Sequence, residues 1–264
     1  MPELPDVEIF RNYLNATALH KKIKTVRVSD DRILSDVSRR TLQRRLKGRE
    51  LQKTRRHGKH LFAKISADGW LMLHFGMTGF LQFYKNRESR PPHVALEMVF
   101  EDDYRLAYDS QRRLGRVGLA KHPQTFAVEQ NLGPDAMNGL GSTAFGDLMS
   151  GKSGMIKPAL MNQKLIAGIG NIYADEILFQ AKVHPKTPAE DLGNAELDRI
   201  FRAMQQVFEA AAEARADPDE IPDGFLLPRR REGAYCPRCG GKIEKIKVSG
   251  RSGYMCPDCQ KGPG

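Results

Sequence analysis

Four cysteines in 264 residues, none before position 236, leave the chain without the scattered thiols of a disulfide-framed fold. No apolar run approaches the roughly 20 residues needed to span a bilayer. The amino terminus lacks the basic-then-apolar layout of a secretory signal. Internal repeats are absent as well. A soluble, intracellular protein is expected, cytoplasmic and nucleoid-associated if bacterial. Acidic residues are in deficit, 32 Asp and Glu against 42 Lys and Arg, for a formal net charge of +10. Surplus positive charge gains free energy by displacing counterions from phosphates, so a polyanionic partner is expected. Charge alone does not separate nucleic acid from a membrane surface.

The length suits one large domain or two ordinary ones, and two are expected before the cysteine-bearing tail. Val7, Phe10 and Leu14 share one helical face, so a helix begins near the amino terminus. From 22 to 120 the texture changes to short runs with strand character: KTVRVS, HLFAKIS, GWLMLHF, GFLQFY, HVALEMVF and YRLAYD. In VALEMVF, Val94, Leu96, Met98 and Phe100 alternate with Ala95 and Glu97, which predicts a half-buried strand. Strands at this spacing predict a sandwich or barrel. The pattern breaks near KHPQTF and NLGPD, and helices follow. The clearest covers 195–213, with an apolar stripe behind Asn194 as its cap. Residues 216–233 form a Pro- and Gly-punctuated connection.

All four cysteines fall in C-x2-C, sixteen residues, C-x2-C: Cys236, Cys239, Cys256 and Cys259. This spacing lets two knuckles present four thiolates to one zinc ion. Four sulfurs close the coordination sphere, so the ion is structural; intracellular disulfides are the alternative. KIEKIKVSGR and SGYM between the knuckles predict a hairpin whose turn exposes Arg251. Residues 229–264 carry nine basic and three acidic side chains, which suits phosphate contact or simply a solvated basic surface.

Four separated stretches then occur in one order: MPELPDVE at the start, HFGMTG at 74–79, IKPALMNQKLIAGIGNIYADEILF at 156–179, and the four-cysteine hairpin. Together they resemble the formamidopyrimidine-DNA glycosylase and endonuclease VIII family of base-excision repair, over essentially the whole chain. The resemblance implies an α+β multidomain fold. Residues 1–125 would form an N-terminal helix with an antiparallel β-sandwich. Residues 126–228 would form a helical domain with a helix, two turns and helix, and 229–264 the zinc hairpin. It implies a monomeric, bifunctional glycosylase and abasic-site lyase on double-stranded DNA bearing oxidised bases or abasic sites. Its one cofactor would be structural Zn2+, and no membrane is involved.

Removal of Met1 would give Pro2 a free secondary amine, able to attack an electrophilic sugar carbon and form an iminium ion. The resemblance assigns Pro2 that role and makes Glu3 the acid that protonates the deoxyribose ring oxygen. It places Lys59 on phosphate beside the lesion. Without it, Lys59 reads as one of ten Lys or Arg in residues 39–59. An enzyme that extrudes a nucleotide must fill the hole it leaves. Met77 matches one void filler, and SQRRLG aligns with the family's DPRRFG to give Arg112 and Leu114 as the others, with Leu in place of the usual Phe. Taken alone, Met77 reads equally as core and Arg112 as a solvated side chain. Lys157, Asn171 and Arg251 map onto phosphate contacts, the GIGN turn supplying amides at a helix start. Asp6 stands where the family often has Glu. The stretch from the end of the long helix to Cys236, shorter than is typical of the family, implies ring-opened purines or oxidised pyrimidines as substrates, with 8-oxoguanine left open. A catalytically silent DNA-binding protein of the same fold would share the basic patches, and the state of the amino terminus separates the two readings.

Overall fold

The computed structural model describes residues 1–262, so the last two residues of the 229–264 segment lie outside it. The chain divides into two compact units, Met1–Asn131 and Leu132–Gly264. The first opens with α1 (Leu4–Thr17), followed by β1 (Ile23–Val28), β2 (Leu34–Ser35), α2 (Arg39–Leu46), β3 (Leu51–His57), β4 (His60–Ile65) and β5 (Trp70–His74). Then come β6 (Gly79–Tyr84), β7 (Val94–Phe100), β8 (Arg105–Ser110), β9 (Arg116–Ala120) and α3 (Pro123–Glu129). Two sheets form, ordered β1-β7-β8-β6 and β2-β9-β5-β4-β3. They enclose one core of Leu, Ile, Val, Phe and Met side chains, onto which α1 sets Val7 and Leu14 and α2 sets Leu42 and Leu46. Pairing is antiparallel throughout both sheets except between β2 and β9, which is parallel.

Several elements of the first unit differ from the sequence reading. α2, β2, β3, β9 and α3 are additional. α2 and β3 are polar, arginine-rich runs without apolar alternation, and β3 and β9 become strands through pairing with β4 and β5. β7 is buried at every position rather than on one face. Glu97, on its nominally outer face, is covered by the Tyr84 hydroxyl and by Arg27 and Arg90 at 3.2 and 3.5 Å. A charge satisfied in this way tolerates burial.

The second unit contains α4 (Ser142–Met149), α5 (Ile156–Leu160), α6 (Asn171–Gln180), α7 (Asn194–Glu213) and the hairpin β10 (Glu244–Val248) with β11 (Arg251–Met255). Asn194 is the first helical residue of α7 rather than its cap: the cap is Gly193, whose N–H donates to Glu196 at 3.1 Å. A carboxylate one turn into the helix satisfies an orphan amide as well as an Asn cap does.

Two adjacent acids on α6, Asp175 and Glu176, are both fully buried. Asp175 accepts from Arg230 Nε and Nη2 at 3.0 and 2.7 Å and from the Tyr254 N–H at 3.1 Å, and its other oxygen lies 2.7 Å from Lys157 Nζ. Glu176 accepts from the N–H groups of Leu226 and Leu227 at 3.1 and 2.6 Å and from Gln180 at 2.8 Å. The connection and the hairpin are thereby held to α6. Among the described residues no helix is long and apolar enough to cross a membrane.

Burial pushes the Glu176 carboxyl up to about 7 despite its donors. A folded pKa above the unfolded value of about 4.5 means that the native state holds the proton more tightly. This stability is fully present below the unfolded pKa and is lost as pH rises through about 7. Denaturant unfolding should show a decline of up to roughly 3 kcal/mol across that window, at about 1.4 kcal/mol per pKa unit, and Glu176→Gln should flatten it.

Candidate active site and nucleic-acid interface

In the first unit the candidate groups gather at the start of α1 and at the turn joining β3 to β4. Pro2 precedes the helix, half-buried, and Glu3 is its N-cap residue, with no exposed surface. The Glu3 N–H donates to Asp6 Oδ2 at 2.8 Å, so the shorter acid still closes the helix end. Burial raises the Asp6 carboxyl above its ordinary value, while the Glu3 amide and the positive charges of the chain's amino terminus and Lys59 pull it down. These opposing charges act over short range, so amino terminus, Asp6 and Lys59 share one electrostatic neighbourhood.

Lys59 is half-buried in the two-residue turn His57-Gly58-Lys59-His60, where Gly58 adopts φ +54°. Beside it, burial first and neighbouring cations second depress His60 to about 3 and His74 to about 4. Both imidazoles are neutral near pH 7 and add no charge next to the amine. Arg56, whose side chain is 1% exposed, bonds Glu8 at 3.0 Å and fixes β3 against α1. Sequence reasoning missed His60 and His74 because each sits in a strand whose apolar content alone attracted notice, and Arg56 because its polar run carries no strand pattern.

Met77, Arg112 and Leu114 stand on two loops of the same unit, β5–β6 and β8–β9. The loops are clamped together. The Arg112 N–H donates to Thr78 Oγ1 at 3.1 Å. Gly76, at φ +58°, lies so close to the second loop that a Cβ there would fall 2.5 Å from the Leu114 carbonyl carbon. Only glycine permits that approach. Tyr108 Oη donates to the His74 carbonyl at 2.9 Å, in the space that a Cβ on Gly115 would need. Met77 and Leu114 are 40% and 46% exposed, and Arg112 is exposed. The clamp holds two large apolar side chains out in water, an arrangement that favours insertion into an apolar partner.

In the second unit Asn171 opens α6 and donates from Nδ2 to the Ser252 carbonyl of the hairpin at 2.9 Å. Arg251 is exposed at the start of β11, after a turn with Ser249 and Gly250 at φ +45° and +79°. Lys157 sits differently from the solvent-facing contact expected of it. It is 1% exposed, with its ammonium against Asp175 and close under Gly253, where a Cβ would meet it at 2.6 Å. Asp175 and Arg230, absent from the sequence reading, complete this buried group; two acids flanked on both sides by apolar residues in NIYADEILF were the available signal.

The four cysteine sulfurs lie within 4.8 Å of one another, with Cys236–Cys259 at 3.9 Å and Cys239–Cys256 at 3.5 Å. A tetrahedral zinc with Zn–S bonds of ~2.3 Å needs edges of about 3.8 Å, so these residues fit the ion. The Arg238 N–H points to Cys236 Sγ at 3.4 Å, and its guanidinium packs 4.6 Å over Phe179 while donating to the Phe179 carbonyl. The metal knuckle is thereby tied to α6.

Comparison with known proteins gives a consistent picture. Residues 1–117 match the formamidopyrimidine-DNA glycosylase N-terminal domain, 132–220 its H2TH domain, and 236–262 a zinc finger found in FPG and IleRS. A formamidopyrimidine-DNA glycosylase from Geobacter metallireducens is 33% identical over 270 residues, covering 98% of this chain and all of that protein. The crystal structure of Lactococcus lactis FPG with DNA containing FAPY-dG superposes with a TM-score of 0.89 at 29% identity, covering 98% and 100% of the two chains. The complex of the Lactococcus lactis protein with DNA containing an abasic site gives 0.88 at 28% identity, covering 99% and 100%.

Metal analysis should find one zinc per chain. Chelation or Cys239→Ser should release it and open residues 236–262 to limited proteolysis, because the ion supplies the folding energy of so small a module.

Proposed function

The chain belongs to the formamidopyrimidine-DNA glycosylase family, and from that premise we propose that it is a base-excision DNA glycosylase with abasic-site lyase activity, acting on duplex DNA that carries oxidised bases or abasic sites. The reading describes a cytoplasmic, nucleoid-associated monomer with one structural zinc. The observation that carries it is the cluster at the start of α1: Pro2 outside the helix, Glu3 fully buried, Asp6 on the Glu3 amide, and Lys59 acting on the same carboxyl.

Removal of Met1, 48% exposed, frees the ring nitrogen of Pro2. Its lone pair forms a bond to C1′ of the damaged nucleotide as the C1′–base bond breaks; the base departs with the electrons of the broken bond and takes up the proton that the Pro2 nitrogen gives up. Glu3 delivers a proton to the sugar ring oxygen, the ring opens, and C1′ becomes an iminium with Pro2. A secondary amine reaches this cation without losing a further proton. Loss of a C2′ proton then expels the 3′ phosphate, and a second elimination expels the 5′ phosphate; water finally frees Pro2. Lys59 holds the adjoining phosphate and favours the unprotonated amine through its charge.

Met77, Arg112 and Leu114 occupy the space of the extruded nucleotide, Arg112 on the orphaned base and the apolar pair in the stack. Asn171 and Arg251 take phosphates. Lys157 supports that surface through Asp175 and Gly253 instead of touching DNA, a role its burial favours.

Borohydride reduction on an abasic or oxidised-base duplex should cross-link the Met1-free protein. Glu3→Gln should slow excision by about 100-fold or more, in the range of lost general acid catalysis. Pro2→Gly should weaken the trapped adduct. Intact-mass analysis showing uniformly retained Met1 in lesion-processing protein would overturn the covalent route. The short stretch between α7 and Cys236 favours ring-opened purines and oxidised pyrimidines. Single-turnover rates on duplexes carrying each lesion should rank 8-oxoguanine below both.

A further inference from the structure

The second concentration of charge in the first unit lies away from the groups just described. α2 and the residue after it carry Arg39, Arg40, Arg44, Arg45 and Lys47, with no acid among them. Leu42 and Leu46 face the core, and Arg40, Arg44 and Lys47 are exposed. Arg40 sits in the first turn, where the helix dipole disfavours a cation, and Arg40 with Arg44 is a like-charge i, i+4 pair. Helix stability therefore explains neither. Arg39 pairs with Asp31 at 2.9 Å, but among the described residues Arg40, Arg44, Lys47 and Lys121 have no ion-pair partner.

Arg44, Arg45, Lys64 and Lys121 line a concavity of about 540 Å³ with one acid, Asp68. Arg45 is held in place by the Asp68 carbonyl, and Lys64 by the Ala67 carbonyl at 3.2 Å. Cations fixed by carbonyl groups keep their full charge for an incoming anion. Guanidinium groups dominate the surface, and they match phosphate geometry.

Strand register fixes where this surface lies. Lys59 adjoins His60 at one end of β4, and Lys64 and the 66–69 turn lie at the other. In β5 and β9, His74 pairs with Arg116 at the Lys59 end, while Trp70 pairs with Ala120, next to Lys121, at the far end. Five residue steps at about 3.3 Å put the two ends roughly 15 Å apart. The two sets of cations therefore stand at opposite ends of the same strands.

We infer that the α2 surface binds the phosphate backbone of a second segment of duplex DNA, so that the protein passes directly from one segment to another without free diffusion. The inference rests on the glycosylase reading for its first segment. Dissociation from a labelled duplex carrying an uncleavable reduced abasic analogue should accelerate several-fold as undamaged competitor duplex is added. Arg40→Gln/Arg44→Gln/Lys121→Gln should remove that dependence while leaving dissociation without competitor, and borohydride trapping on a short lesion duplex, unchanged. Competitor-independent dissociation of the unaltered protein, or equal acceleration in the variant, would sink the inference. So would binding of an acidic protein to α2 with DNA transfer unaffected. Failure of trapping in the unaltered protein would instead strike the glycosylase reading.

Discussion

One buried carboxylate, Asp175, organises the second unit. A lone charge at that depth would be strongly unfavourable, and the fold compensates by bringing Lys157 from α5, Arg230 from the connection and the Tyr254 amide from β11 to it. Two cations and a backbone amide from three separate segments converge on it, so those segments are coupled through a single residue. Glu176 repeats the device one position later with the Leu226 and Leu227 amides. The hairpin that presents Arg251 and the helix start that presents Asn171 are consequently held in one register, reinforced by the bond from Asn171 to Ser252.

The first unit reaches comparable rigidity by different means. Its core is apolar and continuous, and precision at the working end comes from close backbone approach. Gly76 against Leu114 and Gly115 against Tyr108 lock two loops together without any charged pair. That choice leaves Met77 and Leu114 exposed, which a free protein would gain by burying. At the start of α1 the same logic is electrostatic. Glu3 is buried while Asp6 satisfies its amide, and the nearby neutral His60 and His74 limit positive charge around the amine.

Much of this was legible in the sequence because it depends on local patterns. The α1 stripe, six strand runs, the cysteine spacing and the MPELPDVE opening each carry their signal within a few residues. What was illegible shares a cause. β3 and β9 are strands because neighbours pair with them, Glu97 is buried because arginines and a tyrosine from other strands cover it, and Gly193 caps α7 because Glu196 reaches back. Lys157 mapped onto a phosphate contact by resemblance, and it is Asp175, eighteen positions away, that holds it in the interior.

The sequence by itself determined the chemistry available: a proline one bond from the amino terminus, an acid beside it, four thiols at zinc spacing and a cationic surplus for phosphate. These are properties of residue type and spacing, which no folding step alters. Tertiary structure alone decided which charges are buried and paired and which stay free for a partner, because burial and pairing depend on the distance between residues far apart in the chain. Lys157 and Arg40 show the difference: equal formal charges, one neutralised inside the fold and the other left in water.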